Sequence, residues 1–287
     1  MKPLPFAFTL SRGVDATGFS ASARDSPRPP VASVLHQGRR MASPARWQRA
    51  QQYERGYWET LATRIAAGSA SQLDWYRWRA DQLVQRLRAL GLGALTEGRA
   101  RVIEVGCGPV GVVGFFPAVE RVAIDPLEPY YVANPTLTAL REPTVQYRGG
   151  AAEALPCETG RYDLAIIENC IDHVRDARAA MSELRRALNS TGTLYLTVNC
   201  RTPWGFVVHR ALSNLRLDPG HPHSFTPPRL QRLLRDYGFT PLQFETETRK
   251  EARRVQFDAS ALRASVKALL GVSEFAVTVV AQPTTQH

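Results

Sequence analysis

The spacing of apolar positions changes along the chain and divides it into three parts. Residues 1–43 show no period and few large apolar groups, so we expect a disordered leader. From Pro44 the apolar residues recur every three or four positions, which predicts two amphipathic helices ending at Gly91-Leu-Gly93. The predicted buried stripe of the second helix consists of Trp75, Trp78, Leu83, Leu87 and Leu90. These helices form a predicted N-terminal helical cap over residues 44–93, either packed on a sheet edge or lying as an aromatic lid over a site.

Beyond residue 94, short apolar runs alternate with helical segments. This alternation predicts an α/β domain over residues 94–287, with a parallel sheet and helices on both of its faces. Ligands bind such sheets at the carboxyl ends of the strands. The predicted strands lie near residues 101–105, 120–124, 143–147, 162–168, 193–199, 239–246 and 275–281.

A glycine-rich turn follows the first of these strands, with the spacing Gly106-x-Gly108-x-x-Gly111. Glycine tolerates positive φ and lets a ligand approach the backbone, and the helix expected after the turn would offer free N–H groups. The same spacing fits dinucleotide-binding proteins, so a nicotinamide-dependent oxidoreductase is an alternative. Glu104 favours a cationic ligand, because its carboxylate would repel a pyrophosphate.

The segment from Glu104 to Gly108 resembles the first motif of class I S-adenosylmethionine-dependent methyltransferases, in particular their type 11-like members. Segments resembling the later motifs follow in the family's order, and they include Val122–Asp125, Gly150–Pro156, Tyr162–Cys170, Thr191–Val198 and His223–Phe239. The resemblance implies a seven-stranded Rossmann-like sheet, mostly parallel with an antiparallel last strand. It also implies S-adenosylmethionine as cofactor.

The cofactor-binding residues that the resemblance implies are Glu104, Gly106, Cys107, Gly108, Asp125, Pro126, Ala152, Glu153, Glu168 and Asn169. Among them, Asp125 would hold the ribose hydroxyls. Relatives commonly carry an aspartate where this chain has Ala151. Adenine recognition would therefore rest on backbone and apolar contacts, or on Glu153.

Methyl transfer from a sulfonium is an in-line displacement that needs positioning more than a particular side chain. A base is required only when the acceptor loses a proton, as a hydroxyl does. His173 follows the fourth strand by a few residues, and imidazole is suited to take up a proton near neutral pH. We expect His173 to be the catalytic base of an O-methyltransferase acting on a small molecule or a glycan or lipid-linked precursor. The alternative is a histidine that packs or caps a helix.

Residues 199–226 are predicted to form an acceptor-binding insertion, because they leave the carboxyl end of a strand and lack a long period. The candidate acceptor-binding residues are Trp78, Trp204, His209, His221 and His223. His221 and His223 have the spacing of a metal pair, but no third ligand is spaced to complete a site. We therefore expect no metal.

The formal net charge is +10, yet all but three of the 36 basic residues are arginine, which coding bias can produce without a phosphate-binding face. We do not expect a nucleic-acid partner, although a non-catalytic cofactor-binding or RNA-binding protein is a further alternative. The four cysteines are dispersed and the apolar runs are strand-sized, which argues against a disulfide framework and a membrane span. We expect a cytoplasmic enzyme; the sequence does not indicate its oligomeric state.

Overall fold

The computed structural model describes residues 41–69, 74–213, 221–246 and 274–284. The helices are α1 (Pro44–Ala66), α2 (Trp75–Ala89), α3 (Glu128–Val132), α4 (Pro135–Thr138), α5 (Ala177–Ala187), α6 (Pro203–Ser213) and α7 (Pro227–Asp236). The strands are β1 (Arg101–Val105), β2 (Glu120–Asp125), β3 (Gln146–Gly149), β4 (Tyr162–Glu168), β5 (Leu188–Arg201), β6 (Phe239–Thr246) and β7 (Glu274–Pro283). None of the helices in these ranges combines the length and the apolar character that crossing a bilayer requires.

Most of the predicted disordered leader, residues 1–40, lies outside the described residues. Its last part is packed against the rest of the chain. Ala42 is buried and donates its N–H to the Arg175 carbonyl over 3.0 Å. Ser43 caps α1 by accepting the N–H of Arg46. The packed unit therefore includes these two residues.

The strands form one seven-stranded sheet in the order β3-β2-β1-β4-β5-β7-β6. β1 to β5 pair in parallel, whereas β7 is antiparallel to both β5 and β6. This confirms the predicted mostly parallel sheet with an antiparallel last strand. Strand order reverses between β1 and β4, the position at which α/β sheets open a ligand crevice. The carboxyl ends of β1, β2, β4 and β5 border that crevice.

Helices cover both faces of the sheet. Alternate residues of β1 point to opposite faces, so Ile103 and Val105 join a core with α5 and α7. Val102 joins the other core, with Leu83 and Leu87 of α2. Both leucines are fully buried, and each burial stabilises the fold by about 1.5–3 kcal/mol. The predicted helical cap is thus a layer on the sheet face, and its placement at the sheet edge is wrong.

The predicted burial stripe of α2 is wrong at Trp78, whose side chain is 47% exposed. The buried residues of this helix are Tyr76, Ala80, Leu83 and Leu87. Their spacing of three and four keeps them on one helical face, and that face excludes position 78. The size and apolar character of a tryptophan therefore do not by themselves predict that it is buried.

The prediction that helices separate the strands is wrong at two connections. β1 and β2 are joined through a four-residue 3₁₀ helix, Val112–Phe115, and the described residues between β3 and β4 form turns only. β3 begins at Gln146 rather than near residue 143, because a turn at Glu142 to Val145 precedes it. Without a full helix after β1, α1 and α2 supply the cover for that face of the sheet.

The turn after β1 depends on Gly106. Its φ is +73°, and a Cβ built there would lie 2.1 Å from Sγ of Cys170. Such a separation is far inside van der Waals contact. The turn therefore requires glycine both for its backbone conformation and for its packing against the loop after β4.

We expect Gly106→Ala to lower the free energy of unfolding by about 2–4 kcal/mol, combining left-handed backbone strain with overpacking. The matched control is Gly160→Ala, because Gly160 has φ +68° but no atom within 4 Å of the place that a Cβ would occupy. The control should show the strain alone, about 1–2 kcal/mol. Chemical denaturation measures both losses. Equal losses would contradict the packing argument. Adding Cys170→Gly to Gly106→Ala should recover the part of the loss that comes from the clash with the Cys170 side chain.

Candidate functional site

Asp125 ties the glycine turn to the end of β2. Its Oδ2 accepts the Gly108 N–H over 2.9 Å, and its Oδ1 accepts the Leu127 N–H over 2.8 Å. Burial raises the pKa of this carboxyl to about 6, although the two N–H donors oppose the shift. Each carboxylate oxygen has a further lone pair, so the group retains capacity for additional donors.

Glu104 lies beneath the turn and is 2% exposed. Its Oε2 accepts the Val113 N–H over 2.8 Å, at the 3₁₀ helix that stands where a longer helix was expected. Burial raises the pKa of Glu104 to about 8 and nearby Glu168 adds to the shift, while Arg79 and backbone N–H groups lower it. The predicted row of free N–H groups at a helix start is therefore wrong, since the helix is one turn long and Glu104 engages it.

Glu168 and Asn169 end β4. Glu168 is buried, and its Oε2 lies 3.6 Å from Nη1 of Arg79 on α2. Burial raises the pKa of Glu168, and Arg79 opposes that shift. Asn169 has φ +47°, an uncommon backbone conformation for a residue other than glycine, and donates its N–H to the Thr197 carbonyl. Such strained positions cluster at functional sites.

Two aromatic side chains from the N-terminal helices lie directly on the glycine turn. Tyr76 of α2 donates its hydroxyl to the Cys107 carbonyl over 3.2 Å. A Cβ on Gly108 would come within 2.6 Å of the Tyr76 hydroxyl oxygen and 3.1 Å of the Trp58 ring. Trp58 also packs edge-on against Tyr131. Trp58, Tyr76 and Arg79 were not among the site residues predicted from the sequence. The three- and four-residue spacing of Tyr76, Ala80, Leu83 and Leu87 is the signal that could have identified Tyr76.

The adenine-side residues predicted from sequence have different environments. Ala152 is buried and Pro126 is exposed. Glu153 Oε1 accepts the N–H groups of Arg175 and Asp176 over 2.6 and 2.9 Å. Glu153 therefore holds the approach to α5, and this structural role competes with adenine recognition.

His173 lies in a polar cluster beyond the end of β4. Its Nδ1 is 3.3 Å from Oε1 of Glu54 on α1, within ion-pair distance but without hydrogen-bond alignment. Its Nε2 is 3.9 Å from Oδ1 of Asp172. The ring of His221 is 4.6 Å away between centroids. The tertiary structure thus surrounds His173 with two carboxyl groups and a second imidazole, which the sequence did not predict.

Of the other predicted acceptor-binding residues, the structure brings His221 and His223 to one pocket, whose lining does not include Trp78 or Trp204. His223 Nε2 lies 3.2 Å from the Arg175 carbonyl oxygen, and burial lowers the pKa of His223. The ring of His221 packs on that of His173. Trp78 and Trp204 are largely exposed. The side chain of His209 and residues 214–220 of the predicted insertion lie outside the described part of the chain.

A polar pocket opens beside this cluster. It lies where β4 and β5 end and β7 begins, and its lining residues are Asp172, Asn199, Arg201, His221, His223, Ser224 and Glu274. Arg201 forms an ion pair with Glu274 across the β5–β7 pairing. The space is about the size of one water molecule, so its charged, amide and imidazole lining can receive a single hydroxyl group rather than a whole ligand.

Known proteins share this architecture. The solved structures of the [4+2]-cyclase SpnF and of a geranyl diphosphate methyltransferase in complex with SAM both superpose with a TM-score of 0.54. SpnF is 16% identical, over 84% of this chain and 96% of its own. The geranyl diphosphate methyltransferase is 14% identical, over 72% and 85%. A Galdieria sulphuraria protein provisionally assigned as a sarcosine dimethylglycine methyltransferase has a TM-score of 0.53 and 11% identity, over 72% and 85%. These identities show a common fold.

Comparison with curated protein sequences gives no significant match. The family model of the methyltransferase domain, however, matches residues 73–243, which is more than half of the chain. None of these comparisons supports the nicotinamide-dependent alternative. The chain belongs to the methyltransferase-domain family, and it is a class I methyltransferase whose cofactor is S-adenosylmethionine.

Proposed function

We propose that this enzyme methylates a hydroxyl oxygen of a small molecule, or of a glycan or lipid-linked precursor. The observation that carries the proposal is the cluster of Glu54, Asp172 and His173, which adjoins the polar pocket at the ends of β4 and β5. A hydroxyl bound there meets a group that can accept its proton. Methylation of a thioether or tertiary amine would need no such group.

The cofactor binds beside the glycine turn in this proposal, because Cys170, Tyr76 and Trp58 occupy the space above Gly106 and Gly108. Asp125 receives the ribose hydroxyls on its remaining lone pairs, and the backbone of Gly106, Cys107 and Gly108 follows the methionine part. Pro126, Ala152 and Glu153 border the adenine. Glu104 and Glu168 supply negative charge for the ammonium and sulfonium groups, and Asn169 borders the transferred methyl. Both glutamates are buried beside the turn, where charge is weakly screened.

The reaction then needs one proton acceptor. The acceptor oxygen forms a bond to the methyl carbon as the carbon–sulfur bond breaks, and sulfur keeps the bonding electron pair. The hydroxyl proton leaves toward His173, and the products are a methyl ether and S-adenosylhomocysteine. Holding oxygen, methyl and sulfur in line supplies most of the rate enhancement.

The proposal extends to the contacts of the acceptor and to the compartment of the enzyme. His221 and His223 line the polar pocket, and we propose Trp78, Trp204 and His209 as outer contacts of the acceptor. All four cysteines are free thiols, which agrees with a reducing, cytoplasmic location. The proposal requires no nucleic-acid partner.

Asp125→Asn should weaken S-adenosylmethionine binding about 10- to 100-fold, because an amide replaces a charge-assisted acceptor of the ribose hydroxyls. Isothermal titration calorimetry measures the change. Asp163→Asn is the matched control, since Asp163 lies at the start of β4, at the opposite end of the sheet from Asp125, and accepts the Arg101 N–H over 2.7 Å. Equal weakening in both variants would contradict a ribose contact.

Cofactor affinity should also depend on pH through Glu104, whose pKa is raised to about 8. A cationic ligand binds the ionised carboxyl best, so ionisation of Glu104 between pH 6.5 and 8.5 should lower the dissociation constant by up to about 25-fold, against the opposing loss of the ligand's ammonium charge. Glu104→Gln should reduce this dependence to that of the ligand's own amino group. Calorimetry in buffers of different ionisation enthalpy detects the released proton.

Protein stability gives an independent check on the same carboxyl. Glu104 keeps its proton in the folded chain up to about pH 8 but loses it near pH 4.5 when unfolded. The free energy of unfolding should therefore fall as pH rises between these values, and Glu104→Gln should remove that contribution. Identical pH profiles for wild type and variant would contradict the raised pKa.

His173→Asn should lower kcat by about 10²- to 10⁴-fold, the usual contribution of a positioned proton acceptor. Its dissociation constant for S-adenosylmethionine should stay within a few-fold of wild type. The assay follows labelled methyl transfer to a panel of hydroxylated small molecules and to matched amines. Preference for the amines, or turnover by the variant within a few-fold of wild type, would count against this proposal.

A further inference from the structure

We infer that Asp172, His173 and His221 form a binding site for one divalent transition-metal ion, with the acceptor hydroxyl as an additional ligand. The metal site stands on these three side chains alone. Only the role of the acceptor rests on the proposed function. The expectation of no metal rested on the pair His221 and His223, for which the sequence offers no third ligand. The fold instead supplies Asp172 and His173 to His221.

The geometry of the three side chains suits an ion. One ligand atom from each lies within 4.8 Å of the ligand atoms of the other two. The separation between His173 Nε2 and Asp172 Oδ1 is 3.9 Å. Nitrogen and oxygen ligands about 2.0–2.2 Å from a tetrahedral ion are roughly 3.3 Å apart. Side-chain rotations that move the ligand atoms by about an ångström would therefore bring all three to ligand distance from one ion.

Asp172 provides a second observation. Its side chain is 6% exposed, and its Oδ1 has no hydrogen-bond partner. A buried carboxylate oxygen without a donor is costly, and native structures rarely leave one unsatisfied. A cation between Asp172, His173 and His221 would remove that cost, because the oxygen would become a ligand.

Glu54 has the position of a supporting carboxylate. Metal-binding histidines usually donate their second ring N–H to a carboxylate or carbonyl, which fixes the ring and its tautomer. Glu54 Oε1 lies 3.3 Å from His173 Nδ1, and a small rotation of the ring would align the two. Nδ1 would then carry the proton, leaving the lone pair of Nε2 on the side of Asp172.

The ligand set selects the ion and its chemistry. Two imidazoles and one carboxylate suit zinc, iron, cobalt or nickel better than magnesium or calcium. Three protein ligands leave a coordination position open, and the polar pocket adjoins it. When bound, the ion would act as a Lewis acid toward the acceptor hydroxyl. In the ion-bound enzyme His173 would be a ligand and no longer the proton acceptor proposed above, and the hydroxyl proton would leave to solvent.

The experiment uses the full chain without a histidine tag, stripped of metal by a chelator. Cobalt(II) chloride is titrated in and its visible absorbance is followed, and bound zinc is counted by mass spectrometry. We expect one ion per chain and a cobalt spectrum without thiolate charge transfer. Asp172→Asn and His221→Gln should each weaken cobalt binding at least about 100-fold, and Glu54→Gln about 10- to 100-fold.

His223→Gln is the matched control, since His223 is a histidine two positions away that contacts the Arg175 carbonyl. It should bind cobalt as wild type does. Absence of stoichiometric binding, equal weakening in His221→Gln and His223→Gln, or a thiolate band would each overturn the site. O-methylation by a chain that binds no ion would overturn this inference and leave the proposed function intact. Normal ion binding without any transfer to hydroxyls would contradict the proposed function alone.

Discussion

The close packing of side chains against the turn after β1 is the constraint on which the rest of the structure depends. Cys170 from the loop after β4 fills the space above Gly106, and Tyr76 from α2 fills the space above Gly108. Asp125 holds the same turn by accepting the Gly108 N–H. Three separate parts of the chain therefore meet at two residues without side chains. Their convergence sets the relative positions of β2, β4 and α2 at the end of the sheet where the cofactor of this family binds.

The N-terminal helices complete both the fold and the site. The connection from β1 to β2 contains a single 3₁₀ turn, which leaves one face of the sheet without its own following helix. Leu83 and Leu87 of α2 bury against that face, and the same helix directs Arg79 toward Glu168. Because one helix serves both purposes, a change that loosens its apolar face also disturbs the charges beside the glycine turn.

Charge is divided between two regions of the crevice. Near the turn, burial raises the pKa values of Glu104, Asp125 and Glu168, with Arg79 as a nearby cation for the two glutamates. Glu104, with a pKa of about 8, would take up a cationic ligand near neutral pH by releasing a proton. Beyond β4, carboxyl groups instead surround His173. The first region suits a sulfonium cofactor, and the second suits proton removal from an acceptor or the binding of an ion.

The sequence by itself determined the sheet, the order of its motifs and the turn residues Glu104, Gly106, Gly108 and Asp125. These follow from local periodicity and from spacing within single strand–turn units, which short-range backbone preferences control. It did not determine that Tyr76 rather than Trp78 is buried, because burial depends on which helical face meets the sheet. Nor did it bring Glu54 to His173, or His221 to Asp172. Those contacts join residues far apart in the chain, and only the packing of α1 and of residues 221–226 against the ends of the strands decides them.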